Sequence, residues 1–446
     1  MEELVAEAFR RLFLKPGADR HRGFVEELVK GGKLALELEE KKTKKTESYV
    51  FRLYRVKEGG EFKELGIKLR IEKEGAGIVY FLELDARWRG FFKPELEAAV
   101  KAAEELKERW PVEDRFPYML GWANSDVAIT RRRDERVLRM STSHLWQLAE
   151  THALFDWSVG GLRMSLTLEG PKLQVVVEAP LERLDEAIGI SAEVGWLHML
   201  GDRAGLEDLM HVRSWDDLKQ WVAKNWDVVV DAAVKRLGEE VRGELEVLRN
   251  KLNDDKTARE VVAPALLLIQ AERLDVNEAT LRYFGAVVSG AIDGDGYVSA
   301  AMGEVGLTSG ERAIVQLWGA VLAAHGIKTK VAKAGGAFQV VASGGDAARL
   351  VSLYFLYGHP LLEGDDRLKN HKLAEAVKLG AEGLSVSWEG LRRTEGGRVA
   401  ADLTISAGDI KVKYNVYLPS DEVVLRFQST DRGRVELAAR LLRLAG

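Results

Sequence analysis

Val288-Ser-Gly-Ala-Ile-Asp-Gly-Asp-Gly296 is the stretch of the sequence that decides the fold. It ends an apolar run at helical spacing, and Asn277 lies upstream where it can cap the start of a helix. The glycines of the stretch predict the end of that helix, and a strand pattern begins at Tyr297. The sequence therefore predicts a helix whose C-terminal end carries two acids, Asp293 and Asp295.

One face of this predicted helix carries little side chain, because its residues include Gly285, Ala286, Ser289, Gly290 and Ala291. Small residues let another backbone approach closely. The pattern predicts a partner helix packed at unusually short range. That partner comes either from a second subunit or from an internal copy of the same unit.

The stretch resembles the motif of the LAGLIDADG homing endonucleases. Gly290 matches the glycine at the third place of the motif, and Asp295 matches the acid at the eighth. In that family the motif helix leads into two strands, a helix and two more strands. The matching segments here are 297–301, 304–308, 311–325, 328–333 and 337–342, followed by a helix over 346–357.

A degenerate copy of the motif occurs earlier, at Met119-Leu-Gly-Trp-Ala-Asn-Ser-Asp-Val127. Gly121 keeps the third place and Asp126 the eighth, while Asn124 replaces the other acid and Val127 the final glycine. The same order of elements follows, with segments 127–132, 136–141, 144–155, 161–168 and 172–179. The resemblance implies two pseudo-symmetric halves that pack through Gly121 and Gly290.

The sequence as a whole predicts an α+β fold in which two αββαββ halves join through a helical bridge and carry two flanking α+β modules. The predicted helices of the bridge are 215–226, 228–252 and 257–270, and its tryptophans fit a buried stripe better than a base-stacking surface. The predicted divisions are an N-terminal module over 1–112, a first half over 113–205, the bridge over 206–275, a second half over 276–372 and a C-terminal module over 373–446.

The resemblance implies a chemistry of phosphodiester hydrolysis with Mg²⁺ as the cofactor. Mg²⁺ prefers carboxylate oxygens, and an acid at each motif-helix end would meet that preference. Asp295 and Asp126 are the implied metal ligands and catalytic residues. Asp293 is expected to act as a hydrogen-bond partner at the helix end. Lys330 is a candidate basic catalytic group, although plain solvation or phosphate contact is the preferred explanation.

Candidate nucleic-acid contacts follow from the sheets that such halves present to DNA. Arginine can neutralise phosphate and read guanine, but a charged hairpin turn explains the arginine run as well. Which strand face is open depends on register, since a slip of one residue exchanges the faces. The candidates are Arg131, Arg132, Arg133, Arg136, Arg139, Arg163, Lys328, Lys330 and Gln339.

Composition limits the remaining possibilities. The chain has 446 residues, no cysteine and a net charge of −5, so disulfides, thiolate nucleophiles and cysteine zinc sites are excluded. The net negative charge requires that any nucleic-acid binding depend on local basic patches. An acidic start, Met1-Glu-Glu-Leu4, and the lack of a long apolar run predict a cytoplasmic protein without a membrane segment. Abundant Glu, Arg and Leu resemble thermophile usage, and the texture of the chain resembles archaeal paralogous-repeat proteins.

Two functions that involve nucleic acid remain open on the sequence alone, beside a structural or protein-binding role that acidic open sheet faces would favour. The first is a site-specific, Mg²⁺-dependent endonuclease that cuts double-stranded DNA as a monomer through its internal pseudo-symmetry. The second is a non-catalytic descendant that binds DNA or RNA as a regulator or splicing helper. Acids in both motifs favour the first, and the changes at Asn124 and Val127 favour the second.

Overall fold

The structure is a computed structural model. It describes residues 34–42, 47–56, 59–74, 77–87, 93–132, 135–167, 170–193, 207–362, 364–394, 397, 399–408, 410–418 and 423–445. The fold is mixed α+β, as predicted. The chain forms two compact units, one made of residues 1–103 and 139–179 and the other of residues 104–138 and 180–446.

The described elements up to residue 193 are eight strands and four helices. In chain order they are β1 Leu34–Lys42, β2 Glu47–Val56, β3 Phe62–Glu74, β4 Gly77–Leu84, α1 Lys93–Arg109, α2 Val112–Ser125, β5 Ala128–Arg132, β6 Glu135–Thr142, α3 Leu145–Phe155, β7 Ser158–Thr167, β8 Gly170–Pro180 and α4 Glu182–Glu193.

The first unit is built on an antiparallel sheet in which β1, β2, β3, β4, β7 and β8 lie side by side in that order. Alternation along these strands sends one set of side chains into the core, including Leu53, Leu69 and Leu82. The pairing of β4 with β7, with Leu84 opposite Leu162, joins strands that are far apart in the sequence.

This pairing explains why the compact units do not follow the predicted divisions. The strands and helices predicted for 113–205 all occur in the predicted order. However, α2 and β5 belong to the second unit, whereas β7 and β8 belong to the first. Backbone hydrogen bonds to β4 attach β7 to the N-terminal strands, which the sequence pattern does not reveal.

The elements from residue 207 onward begin with the helical bridge. They are a 3₁₀ turn Glu207–His211, α5 Trp215–Lys224, α6 Trp226–Leu237, a 3₁₀ turn Glu239–Val241, α7 Arg242–Lys251, α8 Asp255–Arg273, α9 Glu278–Asp293, β9 Gly296–Ser299, β10 Glu304–Ser309, α10 Arg312–Ala324, β11 Lys330–Ala334, β12 Ala337–Ser343, α11 Gly345–Tyr357, a 3₁₀ turn Asp366–Leu368, α12 His371–Ala381, β13 Leu384–Arg393, β14 Val399–Ala407, β15 Ile410–Leu418, β16 Val424–Arg426 and α13 Arg432–Leu444.

The bridge corrects one prediction. The single helix expected over 228–252 is divided, because Gly238 adopts a positive φ of 101° that ends α6. The tryptophans Trp215, Trp221 and Trp226 are 1%, 5% and 0% exposed, so they belong to the core and offer no surface for base stacking.

The second predicted half forms a small antiparallel sheet with strand order β11-β12-β10-β9. Val305, Leu307 and Val340 lie on the face that α10 and α11 cover. The register pairs Thr308 with Gln339 on the opposite face, which is open to solvent.

The C-terminal module is an antiparallel meander, β13-β14-β15-β16, followed by α13. Tyr414 is buried on the helix-covered face, and its hydroxyl donates to the carbonyl of Ala438 on α13 at 2.7 Å. The N-terminal strands β1 to β4 also form a meander followed by a helix, so both flanking modules have the same order of elements.

Within the described ranges, no helix combines the length and the apolar character that crossing a lipid bilayer requires.

Candidate functional site

Helices α2 and α9 run parallel and contact each other through their backbones. A Cβ on Gly290 would overlap the carbonyl of Tyr118 and lie 2.6 Å from the amide nitrogen of Trp122. A Cβ on Gly121 would overlap the carbonyl of Val287. Only glycine fits at these two positions, so the small residues identified in both motifs form the contact between the helices.

The parallel orientation follows from contacts at the two ends of the pair. Near the N-termini, Arg282 on α9 donates to both carboxylate oxygens of Asp114 on α2, at 2.6 and 2.9 Å. Near the C-termini, a Cβ on Gly294 would overlap the side chain of Ser125. Both helices therefore end at the same side of the second unit.

This arrangement brings Asp126 and Asp295 together. Asp126 is the C-cap of α2, and its amide donates to the carbonyl of Trp122 at 3.2 Å. Asp295 follows α9, and its carbonyl accepts hydrogen bonds from the amide and the hydroxyl of Thr308 on β10, at 3.2 and 2.6 Å. A Cβ on Gly294 would lie 3.3 Å from the amide nitrogen of Asp126, so the two acids come from separate helices but lie close together.

Desolvation and the neighbouring acid both perturb the titration of Asp295. Although Asp295 reaches solvent, the surrounding protein desolvates its carboxylate, and the neighbouring Asp126 adds like-charge repulsion. Together these effects raise the pKa of Asp295 to about 6, against the opposing attraction of Arg259 and Lys372. A bound cation would relieve this repulsion, so the carboxylate pair fits the preference of Mg²⁺ for oxygen ligands.

Helix α8 contributes two charged side chains that the sequence interpretation missed. Arg259 donates to the carbonyls of Ser125 and Val127, at 2.6 and 3.1 Å, on either side of Asp126. It also donates to the carboxylate of Glu260 at 3.1 Å. Burial raises the pKa of Glu260, and the nearby Asp295 raises it further. An Arg-Glu pair at the start of the apolar run 261–269 was the available signal, since charges beside a buried helix need partners.

Lys372 was also missed, and it binds the end of the other motif helix. Its ammonium donates to the carbonyls of Ile292, Asp293 and Gly294, at 2.8, 2.8 and 2.9 Å. Cations at a helix C-terminus satisfy carbonyls that lack intrahelical donors and interact favourably with the helix dipole. Each motif helix therefore ends against a cation that comes from a distant helix.

The local packing explains why an amide suits position 124. Pro264 lies inside α8 and has no amide hydrogen, so the carbonyl of Glu260 loses its helical donor. With its amide nitrogen directed toward α8, Asn124 donates to the carbonyls of Glu260 and Arg259, at 2.8 and 3.0 Å. A carboxylate at this position would repel both carbonyls, whereas an amide satisfies them.

Asp293 occupies the corresponding place in the second motif, where its neighbours are donors instead. It is fully buried, and its carboxylate accepts hydrogen bonds from Tyr118 at 2.7 Å, from Asn370 at 2.6 Å and from Tyr354. Asn370 also contacts the ring of His359 at 3.0 Å. Asp293 therefore acts as a hydrogen-bond partner at the helix end, as expected from the sequence.

The candidate contacts of the second half lie on or near the small sheet. Gln339 and Lys330 share its open face, because the register pairs Gln339 with Thr308 and Lys330 with Val341. Lys328 is exposed just before β11, and its amide donates to Asp346. Lys330 lies on the outer strand, two strand spacings or roughly 10 Å from β10. Arg259 and Lys372, rather than Lys330, are the cations beside the acids.

The arginines of the first predicted half have different surroundings. Arg131 and Arg132 are exposed at the end of β5, and Arg133 lies outside the described residues. Arg136 instead donates to both carboxylate oxygens of Asp216, at 3.1 and 3.0 Å, and lies 3.6 Å from Asp255. These carboxylates occupy its guanidinium, which removes Arg136 from the set of nucleic-acid contacts.

Arg139 and Arg163 belong to the first unit and have carboxylate neighbours. Arg139 lies 3.9 Å from Glu178, and Arg163 lies 3.3 Å from Glu83 and stacks over Phe81. The strand register aligns charges of both signs across the polar face of this sheet, in the row Glu37, Arg52, Lys68, Glu83, Arg163 and Gln174. This face is mixed in charge and is not a basic patch.

Comparison with known proteins assigns no family. No protein-family model matches the sequence, and no curated protein matches it.

Proposed function

We propose that the chain is a Mg²⁺-dependent endonuclease that hydrolyses both strands of a DNA duplex at a specific site, as its resemblance to LAGLIDADG proteins implies. The observation that carries this proposal is the meeting of Asp126 and Asp295 at adjacent ends of two closely packed parallel helices. Two acids fixed in this way can serve two scissile phosphates, one on each strand. An internal pair of halves makes a second subunit unnecessary, so the proposed enzyme is a monomer. We propose a cytoplasmic location from the sequence.

The side chains around the acids support a role in phosphate chemistry. Asp126 and Asp295 would hold the metal, with Glu260 close to Asp295. When bound, Mg²⁺ supplies electrophilic polarisation of a phosphate oxygen. Arg259 holds the backbone on either side of Asp126, and Lys372 holds the three carbonyls that precede Asp295, so the backbone that carries each acid stays fixed while a substrate binds.

The open face of the small sheet supports an approach of DNA beside the acids. Thr308 binds the backbone of Asp295 and stands opposite Gln339, which continues the face toward Lys330. Lys330 and Lys328 would contact phosphates, and Gln339 can donate to and accept from a base edge. Arg131 and Arg132 would supply phosphate contacts for the first half.

A non-catalytic protein that binds DNA or RNA with the same surface is the second candidate. The observation that favours it is the guanidinium of Arg259, which lies beside Asp126 and offsets part of the charge that would attract a metal. In that case the acid pair would persist as a structural link to α8. The two candidates differ in whether a metal binds and in whether a phosphodiester bond breaks.

The test combines metal binding with cleavage. Mn²⁺ binding to the full chain would be followed by electron paramagnetic resonance, and cleavage would be assayed with Mg²⁺ on DNA that flanks the gene of this protein. We expect Asp295→Asn and Asp126→Asn each to weaken Mn²⁺ binding and to abolish double-strand cleavage. The control Glu382→Gln, an exposed carboxylate beyond α12, should change neither.

The outcomes separate the candidates. DNA binding without Mn²⁺ binding or cleavage would support the non-catalytic protein. Cleavage that survives in the Asp126→Asn, Asp295→Asn double variant would refute the assignment of the acids.

A further inference from the structure

A cleft of about 740 Å³ lies in the second unit, away from the acid pair. The start of α9, the end of α11, the first residues of β15, the segment after β16 and one face of α13 line it. Its volume is in the range of sites that bind small molecules or peptide segments. Nothing in the proposed endonuclease chemistry uses this cleft.

The floor of the cleft is apolar and contains one polar group without a partner. Leu281, Ile410 and Val412 line it and are only 7%, 7% and 6% exposed. Tyr357 also lines it and is 4% exposed, yet its hydroxyl makes no hydrogen bond within the described part of the chain. A hydroxyl that lines the cleft without a protein partner can donate a hydrogen bond to a ligand that accepts it.

The rim of the cleft is mainly positive. Among the residues that the structure describes, Lys411, Lys413 and Arg434 line the cleft together with a single acid, Glu278. Lys413 lies 3.0 Å from Asp402, and Arg434 lies 3.9 Å from Glu278. Lys411 is exposed and forms no ion pair with any residue that the structure describes. The rim therefore favours an anionic ligand, with Lys411 as the cation most available to it.

One wall of the cleft is an open strand edge. Strand β15 pairs with β14 from Ile410 to Leu418, but β16 pairs with β15 only opposite residues 415–417. The chain leaves the sheet after Arg426, so residues 427–429 line the cleft without forming a ladder to 412–414. Part of the β15 backbone therefore has amide and carbonyl groups available to an added strand.

We propose that this cleft binds an extended acidic peptide segment of a partner protein, which adds as a strand to the open edge of β15. An apolar side chain of the peptide rests on the floor beside Leu281 and Val412, and flanking acids meet Lys411 and Arg434. The open strand edge favours a peptide over a nucleic acid, because backbone amides and carbonyls pair with another peptide backbone. The apolar floor favours a peptide over free phosphate.

The experiment uses the full chain and a fluorescein-labelled peptide in which glutamate alternates with leucine and phenylalanine. We expect saturable binding and slower hydrogen exchange at the amides of residues 410–414 when the peptide is bound. Lys411→Glu should weaken the Kd by about tenfold, because it exchanges an attraction for a repulsion. The control Lys101→Glu, at an exposed position of α1, should leave the Kd unchanged.

Tyr357→Phe separates binding from folding. Removal of an unpartnered hydroxyl should leave the melting temperature unchanged or higher, while the Kd weakens by about threefold. The proposal is overturned if the peptide fails to bind, if Lys411→Glu binds it normally, or if a peptide with lysine in place of glutamate binds equally well. Competition by an oligonucleotide that gives the same exchange protection would assign the cleft to nucleic acid instead.

Discussion

Replacement of Gly290 by alanine should destabilise the second unit, although alanine is the better helix former. In an exposed helix the change would add about 1 kcal/mol of stability. Here the new methyl would overlap the carbonyl of Tyr118 and lie 2.6 Å from the amide nitrogen of Trp122. Both atoms belong to the backbone of α2, so relief requires one helix to move. Overpacking of this kind costs about 1–3 kcal/mol, and more when backbones must separate. We expect a net loss of about 2 kcal/mol or more.

Thermal unfolding followed by circular dichroism measures this effect. A loss of about 2 kcal/mol lowers the Tm by roughly 3 °C in a unit of about 300 residues. The matched control is Gly189→Ala on α4, where a Cβ would meet no atom within 4 Å and only the gain in helix propensity remains. A Gly290→Ala variant that melts at or above the wild-type temperature would refute the close contact of α2 with α9. Gly121→Ala combined with Gly290→Ala should cost less than the sum of the single changes, because one separation of the two helices relieves both overlaps.

Three further predictions concern the surroundings of the acids. Asn124→Asp should destabilise the chain by about 1–3 kcal/mol in urea titrations, because a buried carboxylate would face the carbonyls of Arg259 and Glu260; wild-type stability in this variant would contradict the proposed orientation of the amide. Lys372→Met should lower the Tm, since three carbonyls at the end of α9 lose their donor, whereas Lys372→Arg should retain most of the stability. The pKa of Asp295 is raised to about 6, so the folded chain binds the proton of this carboxyl group more tightly than the unfolded chain does. The stability that this proton contributes is therefore lost as the pH rises from about 4 through 6. Protons should therefore compete with Mn²⁺ for Asp295 below about pH 6. Asp126→Asn should move the pH midpoint of Mn²⁺ binding to lower pH, and an unmoved midpoint would show that the two acids do not interact.

The local pattern of the sequence was sufficient to predict most of the secondary structure. Asn277 forms the predicted N-cap with a full capping box, and the strands and helices expected after both motifs occur in order. Gly238 shows that apolar periodicity alone does not predict where a helix ends. The apolar pattern of 228–252 continues across this residue, although its positive φ ends the helix. A hydrophobic pattern records which face is buried but not where the backbone changes direction.

Charged residues were harder to assign than apolar ones. Arg136 and Arg131 look equivalent in the sequence, yet one binds Asp216 and the other is exposed at a strand end. The partner of Arg136 lies far along the chain, so no local signal distinguishes the two. The same reason hid Arg259 and Lys372, whose acceptors are carbonyls of distant helices.

The sequence by itself determined the two motif helices, the acids at their ends and the need for close packing, because small residues, caps and glycines act locally on the backbone. Tertiary structure alone decided which charges meet. It brought Asp126 to Asp295, directed Arg259 and Lys372 to the helix ends, and joined β4 to β7 across the predicted module boundary. Contacts between residues far apart in the chain depend on the register and packing of whole elements, and no short stretch of sequence specifies these.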